Sequence, residues 1–360
     1  MDPVTSASLS SFLPKVGDFA GYWALGRLMA DGAASYDTAT VLALQHGIGW
    51  GEDYANLVWY APWSLPIFWL FGLLPVALAL PLWLATQVGM LFLAADRLWL
   101  HHGGQRARRW IAALLTLAFY PALAVAIWRQ ASALVLLGLV GFLVAQRRRR
   151  DLLAGACLAL AAIKPQLLYL VWAGLVLWVW RTRRWRIGLG FLLACASGAS
   201  LAALVNGSFF ADYCRHLVYR PPQLLISPSL GSTLRLLFGA SRYWLQFAPG
   251  VLGAIWFASW MRKHRGVTDI EAATPALTLA SILFGVFFWT PDLVVLCVCV
   301  VPLAVHLTTG GSRRPRPVYP LAYFGITVAA TVAHELVADH WFYWLPVAYA
   351  TLFAHARRAD

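Results

Sequence analysis

The sequence predicts an all-α, polytopic integral membrane protein, and three observations carry that reading. Of its 360 residues, 61% are hydrophobic and only 12% are charged, with a mean hydropathy of +0.67. A soluble domain carries roughly a quarter of its residues as charges. Apolar runs long enough to span a bilayer recur from about Leu73 to the C-terminus, separated by short polar clusters. These runs are continuous rather than alternating, which argues against a β-barrel.

The net charge of +13 is placed for a membrane and not for a nucleic acid. Basic clusters fall between the apolar runs: Arg106, Arg108 and Arg109; Arg147 to Arg150; Arg181 to Arg186; Arg262, Lys263 and Arg265; Arg313 to Arg316; Arg357 and Arg358. Clusters spaced this way are the positive-inside signal, which puts them in the cytoplasm.

About eleven spans result, at roughly 77–98, 110–127, 131–146, 151–164, 166–180, 187–205, 243–261, 273–290, 292–308, 318–337 and 341–356. Only eight of the 28 Lys and Arg then face outward: Lys15, Arg27, Arg129, Lys164, Arg215, Arg220, Arg235 and Arg242. Most acids fall outside, among them Asp18, Asp31, Asp37, Glu52, Asp53, Asp212 and Asp292. Two organisational regions follow. Residues 1–60 form an outward juxtamembrane loop with surface helices, and 61–356 form the transmembrane helical domain, which contains an outward loop at 206–242.

In the first loop, Phe19, Tyr22, Trp23, Leu25 and Leu28 fit a short amphipathic helix lying on the membrane surface. Tyr60 to Leu74 is too short for a span and is punctuated by Pro66, so it reads as a segment lodged in the outer half of the membrane. Residues 1–17 carry no signal-peptide pattern. An outward loop of this size ordinarily follows a first span, so the natural start is expected to lie further upstream.

The candidate working residues stand on the outward side. Asp18, beside Phe19, Tyr22 and Trp23, is either the N-cap of the helix that follows or a half-buried general base. Lys164-Pro165-Gln166 interrupts an apolar run, and the lysine is either a snorkelling helix-end residue or a functional cation that pairs with a lipid phosphate. Arg129-Gln130 is a cation at another outward turn, either an interfacial anchor or a ligand contact. Asp212, Arg215, His216, Tyr219 and Arg220 have helical spacing and would face one way, either as a solvated face or as a diphosphate-binding one. The polar loop 226–233, with Ser229, is a turn able to bond sugar hydroxyls. Asp292 caps a helix or binds substrate. No metal-ligand spacing and no phosphate-binding glycine loop is present, so neither a metal nor a cofactor is expected. The five cysteines show no metal spacing, and four lie inside apolar runs as small core residues.

Taken in order, these pieces resemble glycosyltransferase family 87. The opening matches on Asp18-Phe19-x-x-Tyr22, then Gly32, Tyr36 and Asp37, then Tyr60-x-Pro62. Arg129-Gln130 stands at the family's Gly-Gln, Lys164-Pro165 at its Lys-Pro, and Trp185-Arg186 at its basic Trp-Arg. Ser229-Leu230 stands in its Ser-Leu loop and Pro291-Asp292-Leu293 in its late aspartate segment. That family is similar to the polyprenol-phosphate-mannose-dependent α-1,2-mannosyltransferases of the GT-C fold.

The resemblance implies a GT-C-like helical bundle in the plasma (inner) membrane with its active site on the non-cytoplasmic face. It implies transfer of a sugar, mannose by analogy, from a polyprenyl-phosphate donor to a hydroxyl of a glycolipid or glycan, with inversion. Asp18 would be the catalytic base. Tyr22, Tyr60, Arg129, Gln130, Lys164, Arg215, His216, Arg220, Ser229 and Asp292 would contact substrate, with membrane lipid as the other partner. A polytopic transporter or lipid-linked-sugar flippase is the alternative, and it predicts charges near the bilayer midplane.

Overall fold

The computed structural model describes residues 16–33, 36–219, 225–264, 266–309 and 317–358. Among these residues the chain is helical, with no strand. The α-helices in chain order are α1 (Phe19–Ala30), α2 (Thr38–Gly47), α3 (Leu65–Gly72), α4 (Val76–His101), α5 (Arg109–Leu117) and α6 (Tyr120–Trp128). They continue as α7 (Ser132–Arg147), α8 (Asp151–Ala161), α9 (Tyr169–Thr182), α10 (Trp185–Val205), α11 (Phe209–Tyr219) and α12 (Leu230–Phe238). The last five are α13 (Ala248–Lys263), α14 (Ile270–Leu283), α15 (Cys297–Thr308), α16 (Val318–Leu336) and α17 (Trp344–Arg358).

Two compact units emerge: Met1–Val88 with Ala124–Ala131 and Ala196–Pro221, and Gly89–Leu123 with Ser132–Cys195 and Pro222–Asp360. In the first unit, α1 starts behind Gly17, whose φ of +52° lies in the left-handed region that glycine favours. The Asp18 N–H donates to the Trp128 carbonyl at 2.9 Å, and a Cβ on Gly17 would run into that same carbonyl. Glycine is therefore required there on two counts.

The sequence predicts a one-faced surface helix at α1, and the structure differs: ten of its twelve residues are buried. The reason is the small side chains on its other face. Gly26 and Gly72 let the backbones of α1 and α3 touch, so the face that reads as weakly apolar is packed against a neighbour. Phe19, Tyr22, Phe68 and Trp83 then close into one buried aromatic cluster, with Tyr22 stacked on Phe68 at 5.0 Å.

In the second unit, α7 buries twelve of its sixteen residues and is the core helix against which α8 packs. At Lys164-Pro165 the chain bends by 118° between α8 and α9. Proline lacks the N–H that would continue the ladder, and a 3-10 turn over Pro165–Leu168 replaces it. A second break, of 62°, separates α5 from α6. The carbonyls of Leu115 and Ala118 around it accept hydrogen bonds from the Tyr323 and Thr327 hydroxyls of α16. Broken backbone satisfied by neighbouring side chains is what an apolar environment demands.

Among the described residues, Val76–His101, Trp185–Val205 and Thr290–Thr308 are long and apolar enough to cross a membrane. The number rises to five if each bent pair is one span, while α7 and α14 are shorter apolar helices. Leu78, Leu192, Leu204 and Leu321 stand exposed on α4, α10 and α16, as lipid-facing residues do. The sequence reads about eleven spans from hydropathy, whereas three to five of the described segments meet the length and composition of a span. The bends fall inside apolar runs, and several helices are shorter than the runs that contain them.

Candidate active site

In the first unit, the Asp18 side chain makes no capping hydrogen bond to α1. Its carboxylate accepts from two amides instead. Asn56 Nδ2 donates to Oδ1 at 3.1 Å, and Gln130 Nε2 donates to Oδ2. Two amide donors on its two oxygens fix its direction. Asp18 itself is half-buried.

Both amides are locked from behind. The buried Gln45 side chain clamps the Asn56 backbone in both directions, donating to its carbonyl at 2.8 Å and accepting from its N–H at 2.9 Å. The Tyr22 and Tyr60 hydroxyls lie 2.7 Å apart, so one donates to the other, and they stand 3.1 and 3.2 Å from Gln130 Oε1, which accepts the proton of the second phenol. A phenol donor on Oε1 forces the Gln130 NH2 group toward Asp18. The exposed Tyr54 shows where the carboxylate's field reaches. Burial, then Glu52, then Asp18 push its phenol pKa up.

Arg129 precedes Gln130 in a left-handed conformation, φ +56°. Its side chain lies against Gly17, one residue before Asp18. Its Nη1 donates to the Ile127 carbonyl at 2.5 Å, whereas its Nε is buried without a hydrogen-bond partner. Burial lowers its pKa from the ordinary 12.5, but a guanidinium keeps its charge at neutral pH. Tyr22, Tyr60 and Gln130 are thus joined by hydrogen bonds to the Asp18 carboxylate, and the Arg129 stem lies against the preceding Gly17.

Two other predicted residues of this unit part company on α11. Arg215 is exposed and pairs with Asp212 at 2.7 Å. His216 is buried, sandwiched between Tyr36 at 4.6 Å and Trp59 at 5.2 Å. The single face expected for the two is therefore not formed, because one side of α11 packs and the other is solvated. Arg220 lies outside the described residues.

The second unit holds a separate polar centre. Lys164 and Asp292 are 3% and 1% exposed and form an ion pair, Nζ to Oδ1, of 2.5 Å. The Ser132 hydroxyl donates to the same Oδ1 at 2.5 Å, with Lys164 Nζ 3.3 Å from Ser132 Oγ. Asp292 Oδ2 accepts from the Trp289 N–H at 2.9 Å, while the Trp289 carbonyl accepts from the Asp292 N–H at 2.8 Å, and together they tie down the start of the 3-10 turn Thr290–Leu296. Ser229 caps α12 and is fully buried, bonded to Ser232, Gln246 and the Val286 carbonyl. Its hydroxyl is committed to the fold.

Sequence reasoning missed Asn56, Gln45 and Ser132. Each is a short polar side chain whose partner lies elsewhere in the chain. Only Ser132 left a signal, a lone hydroxyl opening an apolar run. Among the described residues, no group of three His, Cys, Asp or Glu side chains is placed to hold a metal ion.

Comparison with curated proteins and with solved structures found no match. The family model of glycosyltransferase family 87 matches residues 58–291, well over half of the chain. That stretch contains Tyr60, Arg129, Gln130, Lys164, Arg215, His216 and Ser229, whereas Asp18 and Tyr22 precede it and Asp292 follows it by one residue. A carboxylate held by Gln130 from inside the matched stretch and by Asn56 just before it, on a chain of apolar helices, accords with a membrane glycosyltransferase, and the chain belongs to glycosyltransferase family 87.

Proposed function

We propose that this membrane glycosyltransferase moves a sugar, mannose by analogy, from a polyprenyl-phosphate donor to a hydroxyl of a glycolipid or glycan acceptor. The observation that carries the proposal is the Asp18 carboxylate, aimed by Gln130 and Asn56. Asp18 takes the proton of the acceptor hydroxyl as its oxygen attacks the anomeric carbon. The bond from that carbon to the phosphate oxygen breaks, and its electron pair leaves with the polyprenyl phosphate. Displacement from the opposite face inverts the configuration. One base suffices, because a phosphate leaving group needs little help from an acid.

A cation must meet the leaving phosphate. Arg129 fits best, since it lies against Gly17 and has a buried donor to spare. Lys164 is already neutralised by Asp292, and its part is to hold the second unit's polar centre in shape. The remaining parts of the reading are a GT-C-like bundle of about eleven spans in the plasma (inner) membrane, with residues 1–60 outside it and the active site on the non-cytoplasmic face.

The test is transfer from radiolabelled polyprenyl-phosphate mannose in membranes that contain the protein, with products separated by lipid extraction. Asp18→Asn should reduce transfer by about two to four orders of magnitude with the amount of folded protein unchanged. Wild-type rates from that variant would remove Asp18 from the chemistry. The flippase reading has one observation in its favour, the buried Lys164–Asp292 pair among apolar helices. It predicts movement of the lipid-linked sugar across vesicles that survives Asp18→Asn.

A further inference from the structure

The ends of α9 and α13 form a groove that the transfer reaction does not use. It has a volume of about 480 Å³ and is lined by Leu177, Trp180, Arg181, Arg183, Met261 and Val267, together with Gly266. Leu177, Trp180 and Arg181 share one face of α9 by their i, i+3, i+4 spacing. All three are exposed, with Trp180 70% so. The Arg181 guanidinium lies over Gly266, where any Cβ would displace it. Arg183 ends α9 in the left-handed conformation, φ +57°, which turns the chain at the groove's rim.

The charge of this groove is one-sided. Residues 177–186 and 260–267 contain no Asp or Glu. The nearby Asp151 carboxylate pairs with Arg184, which also covers Trp178 at 5.0 Å. Trp180 and Trp185 meet edge to face at 5.4 Å and are both exposed. Exposed tryptophans beside arginines at the ends of apolar helices mark the headgroup level of a bilayer. Basic pockets between helices at that level bind anionic lipid headgroups.

We infer that this groove holds one anionic glycerophospholipid. Its phosphate lies between Arg181 and Arg183, and the upper part of an acyl chain rests on Leu177, Met261 and Val267. A zwitterionic lipid carries a cation for which the walls hold no carboxylate, since the nearest acid in sequence, Asp269, caps α14. A free phosphate would leave the apolar lining uncovered.

The test uses the full chain in nanodiscs of phosphatidylcholine with and without phosphatidylglycerol, followed by detergent extraction and native mass spectrometry of retained lipid. One phosphatidylglycerol should stay with the wild type and no phosphatidylcholine. Arg181→Gln with Arg183→Gln should lower retention about tenfold or more. Met261→Trp, which fills the groove with both arginines intact, should do the same. Arg262→Gln with Lys263→Gln removes equal charge outside the groove and should retain the lipid. Equal loss in that control, no effect of Met261→Trp, equal retention of phosphatidylcholine, or displacement by an equal concentration of inorganic phosphate would each overturn the assignment.

Discussion

The Gln130 carboxamide donates a hydrogen bond to the Asp18 carboxylate, joining residues 112 apart in the sequence. The contact depends on the orientation of one amide, and the Tyr22 and Tyr60 hydroxyls set that orientation. Gln130→Glu converts the donor into a second carboxylate against the first. Like charges favour protonation of one of the pair, so a base at Asp18 would be available only at higher pH. Transfer at neutral pH should fall at least about tenfold and recover partly in alkaline buffer. A rate–pH profile superimposable on that of the wild type would show that the 18–130 contact does not serve the base.

The Lys164–Asp292 pair calls for a different comparison. Both side chains are almost wholly buried, so removing one partner leaves an uncompensated charge inside the second unit. Lys164→Met or Asp292→Leu alone should destabilise by about 3–5 kcal/mol, visible as a lowered unfolding temperature in detergent. The double variant, with two apolar side chains facing each other, should recover most of that loss. If the pair only shapes the fold, the double variant should also recover transfer. Recovered stability with no transfer would make Lys164 a direct contact of the donor phosphate.

Part of this architecture is legible in the sequence, and the illegible part has physical causes. The break at Lys164-Pro165 can be read from one dipeptide, because proline removes a local hydrogen bond. Its angle cannot, since it is set by what α8 and α9 pack against. The α1 pattern gives the apolar face of Phe19, Tyr22 and Leu25 but misses the packing of the other face. A backbone-to-backbone contact through Gly26 and Gly72 leaves no hydrophobic signal. Asp18, Tyr22, Tyr60 and Gln130 each stand out singly as polar or aromatic residues in telling places. Gln45 and Asn56 do not, because an amide that serves another residue's backbone has neither period nor motif.

Arg129 allows stability and function to be separated. It occupies the left-handed region at φ +56°. A non-glycine residue there costs about 1 kcal/mol of backbone strain. Arg129→Gly should therefore raise the unfolding temperature slightly or leave it unchanged. Transfer should nevertheless fall, because the Arg129 guanidinium is lost from this turn. The split is read most clearly in KM for the lipid-phosphate donor, which should rise, with exogenous guanidinium restoring part of the rate. A stabilised variant with unchanged KM would assign Arg129 to anchoring alone.

His102 gives a prediction about pH that does not involve the active site. It follows the last residue of α4 and lies beside His101, with Arg147 and Glu271 also acting on it. Burial first, then the His101 charge, lower its pKa from the ordinary 6.5 to about 4, while Glu271 opposes them. A histidine depressed in this way favours the folded state when neutral. As pH falls through 6.5 the unfolded chain takes up a proton that the folded chain refuses until about 4, so stability drops across that window and levels below it. Unfolding temperatures in detergent should decline between those two values for the wild type. His102→Gln removes the titrating group, and its curve should be flatter over the same interval. Parallel curves for the two proteins would place the proton uptake elsewhere, with His101 the first residue to substitute next.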